Sequence, residues 1–188
     1  MIIFMNKIII MITVIFLLAG CSHRIQPVSP QNTDKINARV LVYIPENFKY
    51  YQSDKPTVIQ TISFKFNEPV TTFLPAFFND TFVKADLTDT KADLNDDYDF
   101  LAVPKFDRVT FDSDRTFGHE LRVYVSISFT HASQADPIKV EGTGLAKDFY
   151  GRQTIYEQDM ANQAFADALK ELKNNIQNKR SDFENNDH

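Results

Sequence analysis

Leu121-Arg-Val-Tyr-Val-Ser-Ile-Ser-Phe129 is the stretch that decides the fold. Leu121, Val123, Val125, Ile127 and Phe129 share one parity, while Arg122, Tyr124, Ser126 and Ser128 share the other. Successive side chains of an extended chain point to opposite faces, so this is a strand with one buried face. His131 to Pro137 is a polar loop, and Ile138 to Lys147 returns with Ile138, Val140, Gly142, Gly144 and Ala146 on one parity. Two consecutive strands joined by a short polar loop form an antiparallel hairpin. Gly142 and Gly144 are expected to let an aromatic ring or the closing helix approach the sheet closely.

That closing helix lies downstream. Thr154, with Glu157 three residues later, is a capping-box pattern. Met160, Ala161, Ala164, Phe165, Ala168, Leu169, Leu172 and Ile176 then form an apolar stripe at helical spacing. Asn178 to His188 is a polar tail with no evident reason to fold.

Upstream of the hairpin, Phe100 to Phe111 reads as a strand in which Pro104 argues for an edge or a bulge. Asp112 to Gly118 is a turn, and Thr88 to Asp99 is an acidic loop following a short strand, Phe82 to Leu87. Before these, Val70, Phe73, Leu74, Phe77 and Phe78 recur at helical spacing from Pro69 to Phe82, with Pro75 expected to shorten or kink the helix. Thr57 to Phe66 alternates as a half-buried strand, Asn47 to Pro56 is a polar turn region, and Arg39 to Ile44 is an interior strand apolar on both faces. The order strand, strand, helix, four strands, helix predicts an α+β fold. Its economical form is a two-layer sandwich: a mostly antiparallel sheet with two helices on one face.

The whole chain has 188 residues, 43% of them hydrophobic, which suits one domain with a sizeable core. Its formal net charge of −5 argues against nucleic acid as a partner, because phosphate binding needs a concentrated basic face. One cysteine excludes an intrachain disulfide and a cysteine-based metal cluster.

The position of that cysteine is informative. Lys7 is the lone charge before Gly20, and Ile8 to Leu18 is an apolar run too short to span a bilayer comfortably. A lysine, a short apolar run and small residues make a secretory signal, 1–20, for which Met5 is a more ordinary start than Met1. Leu18-Ala19-Gly20-Cys21 resembles the lipobox of bacterial lipoproteins. The resemblance implies that the Cys21 thiol takes a diacylglycerol and that a peptidase cuts between Gly20 and Cys21. Ser22, rather than an aspartate, follows the cysteine; by resemblance to enterobacterial sorting this implies the outer membrane, periplasmic face. Residues 21–38, with Pro27 and Pro30, read as the lipidated cysteine and a tether reaching roughly 20–25 Å. The domain is then expected over 39–177 and a disordered tail over 178–188.

Little else in the chain suggests chemistry. No nucleophile elbow, zinc-protease motif, phosphate loop or dinucleotide fingerprint is present. His119 and His131 flank one strand about 40 Å apart, so they cannot share a metal within it. Asp93, Asn95, Asp97 and Asp99 begin like a calcium loop, but Tyr98 and Pro104 stand where its glycine and glutamate belong, so a solvated acidic turn is expected. No catalytic residue, metal site or cofactor is implied. Tyr50, Tyr51, Phe149 and Tyr150 lie in loops and are candidate contact surface; Phe78 joins them because Phe77 and Phe78 cannot both point inward ideally.

The lipobox, tether, long late hairpin and closing helix together resemble small Gram-negative lipoproteins of the YajG-like uncharacterised kind. More distantly they resemble the lipoprotein partner of the lipopolysaccharide-assembly translocon. Its Gly-aromatic-x-Leu-Arg segment after the cysteine is absent, since this chain reads Ser22-His23-Arg24-Ile25 there. The expectation is a non-enzymatic accessory or scaffold in envelope assembly or transport. Its partners would be the membrane, through the anchor, and an envelope protein, through a sheet edge or the aromatic loops. A carrier with an apolar groove for a lipid or lipopolysaccharide, lined by Phe73–Phe78 and Tyr50-Tyr51, is the alternative. An enzyme acting on an envelope polymer ranks last.

Overall fold

The computed structural model describes residues 35–57, 60–91, 93–114, 118–134, 136–148 and 157–184. The signal, Cys21, residues 22–34, Phe149, Tyr150 and Thr154 lie outside the described residues. The elements in chain order are β1 (Ile36–Tyr43), α1 (Glu46–Lys49), β2 (Gln52–Pro56), β3 (Thr61–Lys65), α2 (Asn67–Thr81) and β4 (Phe82–Thr88). They continue with β5 (Phe100–Asp114), β6 (Gly118–His131), β7 (Ile138–Asp148), α3 (Glu157–Asn178) and α4 (Arg180–Glu184). Five strands form one sheet in the order β4-β1-β5-β6-β7, and β2 and β3 form a separate antiparallel pair.

The fold class is α+β, as the pattern predicts, but the sheet is mixed rather than mostly antiparallel. β1 runs parallel to both β4 and β5, whereas β5, β6 and β7 are antiparallel neighbours. Alternation reveals that a segment is a strand but not which way its neighbour runs. The clue to the parallel pair is the helix between β1 and β4, since a parallel pairing requires a long crossover. β1 is an interior strand, flanked by β4 and β5, which explains why its sequence is apolar on both faces.

The β6–β7 hairpin has the expected register. Leu121, Val123, Val125 and Ile127 oppose Ala146, Gly144, Gly142 and Val140. All four β6 residues of this row are buried beneath α3. The two glycines are demanded by that helix. A Cβ at Gly144 would lie 1.6 Å from the Ala164 carbonyl oxygen, and one at Gly142 would lie 2.5 Å from that of Ala168. The small Ala164 and Ala168 on the facing stripe complete the close approach.

β5 carries both features that Pro104 suggested. β1 pairs with β5 only through Ala102, so Pro104 lies on a stretch bonded to β6 alone. A bulge then falls between Phe106 and Arg108. The extra residue reverses the parity, so Phe106 before it and Val109 after it are both buried.

Three expectations need correction. The polar region 47–56 contains α1 and β2, because β3 supplies the partner that makes Gln52–Pro56 a strand. β2 buries just Ser53 and so has no apolar alternation to betray it. Pro75 does not shorten α2, which runs from Asn67 to Thr81 with Val70, Phe73, Leu74, Phe77 and Phe78 all buried. The domain also extends beyond 39–177: β1 begins at Ile36, and the supposed tail contains α4. Its single large apolar residue, Phe183, is buried against Phe129, Phe100 and Phe82 at ring separations of 5.0, 5.3 and 5.7 Å. Arg180 donates to the Lys35 carbonyl and Glu184 accepts from the Asn37 N–H, clamping the end of the chain to the start of β1.

Candidate functional site

The two ends of β1 differ in character. The chain enters β1 beside α4, at Lys35, and leaves it at Tyr43, about 25 Å away at strand rise. At the leaving end, Pro45 starts the one-turn helix α1, and Tyr50 caps it. Tyr51 turns inward and stacks on Phe106 with ring centroids 4.5 Å apart, while Phe48 stacks on the same ring at 4.6 Å. Phe66 and Phe165 complete this aromatic cluster, 4.9 and 5.7 Å from Phe106. The Phe66 N–H donates to the Tyr51 carbonyl and ties the corner to the end of β3.

Tyr50 is thereby held outward, 64% exposed, on a rigid corner. Lys49 lies 5.6 Å over its ring and donates to Asp89 at 3.1 Å. That hydrogen bond lowers the Asp89 carboxyl and raises the Lys49 ammonium from their ordinary values. The result is an exposed aromatic ring beside an ordered ion pair, an arrangement suited to protein contact because the ring loses little conformational freedom on docking.

The other candidate contact residues divide. Tyr51 is half-buried and serves as the anchor of the corner. Phe78 is a correction: it is fully buried, as is most of Phe77, and the two rings meet edge-on at 5.0 Å. Both fit inside because α2 is enclosed on a wide arc: Phe78 packs toward Phe82 on the sheet while α3 lies alongside. Phe73 is buried as well, so the aromatic segment assigned to a lipid groove is packed into the core. Phe149 and Tyr150 lie outside the described residues.

The acidic turn is structural. Asp99 receives both the Arg39 guanidinium, at 2.6 Å, and the Arg39 backbone N–H, at 2.7 Å. Burial raises the Asp99 carboxyl, but these hydrogen bonds outweigh it and hold it below the ordinary carboxylate range. Asn95 accepts from the Asp97 N–H, closing the turn on itself. His131 packs on Phe100 and bonds to Ser133, and His119 stacks on Phe111. Among the described residues, no group of three metal-binding side chains converges.

One buried charge escaped the sequence reading. Lys173 is 6% exposed, and its Nζ has no hydrogen-bond partner among the described residues. Burial lowers the ammonium below its ordinary value, with Asp80 opposing and Lys35 assisting. Its spacing gave a signal: it lies four residues after Leu169 and three before Ile176, on the buried stripe of α3.

Solved structures that match this chain include the following two. Protein XCC0632 from Xanthomonas campestris, assigned to the DUF330 family model, matches with a TM-score of 0.55 and 11% identity over 81% of this chain and 93% of that one. A minor lipoprotein from Acinetobacter baumannii matches with a TM-score of 0.47 and 12% identity over 78% of this chain and 96% of that one. The likeness to the Xanthomonas protein is one of fold. No family model matches the chain, and no curated protein matches it.

Proposed function

We propose that the protein is a lipid-anchored envelope protein whose domain binds a protein partner and catalyses no reaction. The observation that carries this reading is the coincidence, in register, of the Ile8–Leu18 apolar run, the small residues Ala19 and Gly20, and Cys21. Two or three acyl chains on such a residue anchor a protein stably, since each buried CH₂ contributes about 0.8 kcal/mol. The domain starts at Lys35, fourteen residues after Cys21, so it stands on a short leash at the membrane. By resemblance to enterobacterial sorting, Ser22 supports placement at the periplasmic face of the outer membrane.

The long axis of β1 supports the second half of the proposal. The leash joins one end of this strand, and the exposed Tyr50 corner lies at the other. An anchored domain of this kind offers Tyr50 away from its attachment point, toward a partner in the envelope rather than toward its own lipid. A photo-cross-linking residue at position 50 of the full chain is expected to give a discrete protein adduct in cells. The same residue at position 105, on the exposed β5 surface, is expected to give none. Equal, diffuse labelling from both positions would overturn the proposed contact surface.

A further inference from the structure

The sheet has two outer strands, and they are finished differently. On β7, side chains of α3 and of Lys179 just beyond it take up three of the outward backbone groups. Glu171 accepts from the Thr143 N–H at 2.9 Å, Asn175 donates to the Glu141 carbonyl at 2.8 Å, and Lys179 donates to the Lys139 carbonyl at 3.1 Å. The stretch of β5 beyond β1 is also served, because Lys55 donates to the Val109 carbonyl at 2.7 Å. Among the described residues β4 has no such cover. Its Thr88 carbonyl accepts from the Ile44 N–H, so Thr88, Asp86 and Lys84 turn their backbone groups toward β1. Val83, Ala85 and Leu87 therefore turn theirs to the open side. Among the described residues none of those groups has a partner. Open edges are normally blocked, so a bare one invites a strand.

The sequence of β4 indicates which strand. Read against itself in the antiparallel sense about Ala85, it sets Val83 opposite Leu87 and Lys84 opposite Asp86. In this register the residues facing outward on one copy meet the outward residues of the other, giving matched hydrogen-bonded pairs at 83–87, 85–85 and 87–83. Val83, 55% exposed, gains an apolar neighbour on the half-buried Leu87. Lys84 and Asp86 are on the opposite face, with side chains 43% and 55% exposed and a loose mutual contact of 3.8 Å, so each can meet its opposite charge across the pair. Tyr98 bonds to Asp86 and lies under Lys84, holding both side chains upright on that face.

We propose that β4 pairs with β4 of a second copy of this chain about a two-fold axis at Ala85, making one continuous ten-stranded sheet. The proposal needs neither the lipid anchor nor the Tyr50 surface. The contact is small for a stable dimer, and confinement to a membrane would strengthen it by raising the effective concentration.

Cysteines test the register. Positions 84 and 86 of opposing copies fall at a non-hydrogen-bonded pair, with Cα atoms about 4.5 Å apart and within disulfide reach. Two tagged full-length chains, Lys84→Cys and Asp86→Cys, are expressed together in a Cys21→Ser background. Their lysate is then oxidised with copper phenanthroline. The mixture should form disulfide-linked dimer about tenfold above either variant alone, because 84–84 and 86–86 lie on the diagonal, about 7–8 Å apart. Lys139→Cys with Glu141→Cys repeats the same charge pattern on the covered β7 edge and should stay at background. No excess dimer from the mixed β4 pair, or an equal excess from the β7 pair, would overturn the inference. Both β4 positions are exposed, so misfolding does not offer an alternative explanation, and circular dichroism of each variant checks this.

Discussion

Gly144 is the residue on which the packing turns. A methyl group there would overlap the Ala164 carbonyl, and backbone cannot move aside as a flexible side chain can. Gly144→Ala is expected to cost at least about 3 kcal/mol, at the upper end for overpacking, measured by urea denaturation. Lys173 should respond in the opposite direction. Its ammonium is buried without a hydrogen-bond partner among the described residues, so Lys173→Met should stabilise by about 1–2 kcal/mol near pH 7. The sign of the pH dependence follows from the lowered folded value. Between that value and 10.5, the ordinary one, the unfolded chain holds more protons at this site than the folded one. Wild-type stability from this group therefore rises with pH through that window, and the advantage of the methionine should shrink toward pH 10.5. Denaturation midpoints at neutral and alkaline pH give the comparison. The two residues also show what could be read beforehand. A glycine in a clean strand pattern signals close approach, and the structure has it. A lysine on an apolar stripe is usually read as snorkelling to water, and here it is buried, with Asp80 of α2 and Lys35 acting on its charge.

Among the elements, α4 was the least legible and is among the most consequential. Arg180–Glu184 contains a single large apolar residue, too few for a periodic signal. Its stability comes from tertiary contact: Phe183 completes a ring cluster with Phe82, Phe100 and Phe129. Phe183→Ala should cost about 3–5 kcal/mol, and removal of 179–188 should cost as much, read by thermal or chemical unfolding. A loss below about 1 kcal/mol would mean that the element is dispensable. β6, β7 and α3 were legible for the converse reason: each is long, and each has a buried face that repeats with its own period. β2 was hidden because its pairing with β3 supplies what its sequence lacks. The Asp99–Arg39 link belongs at this scale as well, since it ties the acidic loop to β1. The Asp99 carboxyl is held below the ordinary range, so its contribution is present at neutral pH and is lost as pH falls through that lowered value. Asp99→Asn should destabilise the protein at neutral pH and change little in strong acid.

For the molecule as a whole, the sequence revealed the fold class but not the mixed sheet. It placed Tyr50 among the candidate contact residues and misplaced Phe78, because helical spacing does not tell how wide an arc of a helix will be enclosed. The structure adds direction. The chain enters beside α4, the aromatic corner stands at the far end of β1, and β4 is left open along the side. The proposed anchor at Cys21 would give this polarity a meaning, since it would fix which end faces the membrane. That anchor is the central claim, and labelling cells with radioactive palmitate tests it most directly. The full chain is predicted to incorporate the label, and Cys21→Ser is predicted to incorporate none and to keep its first twenty residues. Label retained in Cys21→Ser, or absent from the unaltered chain, would contradict the account.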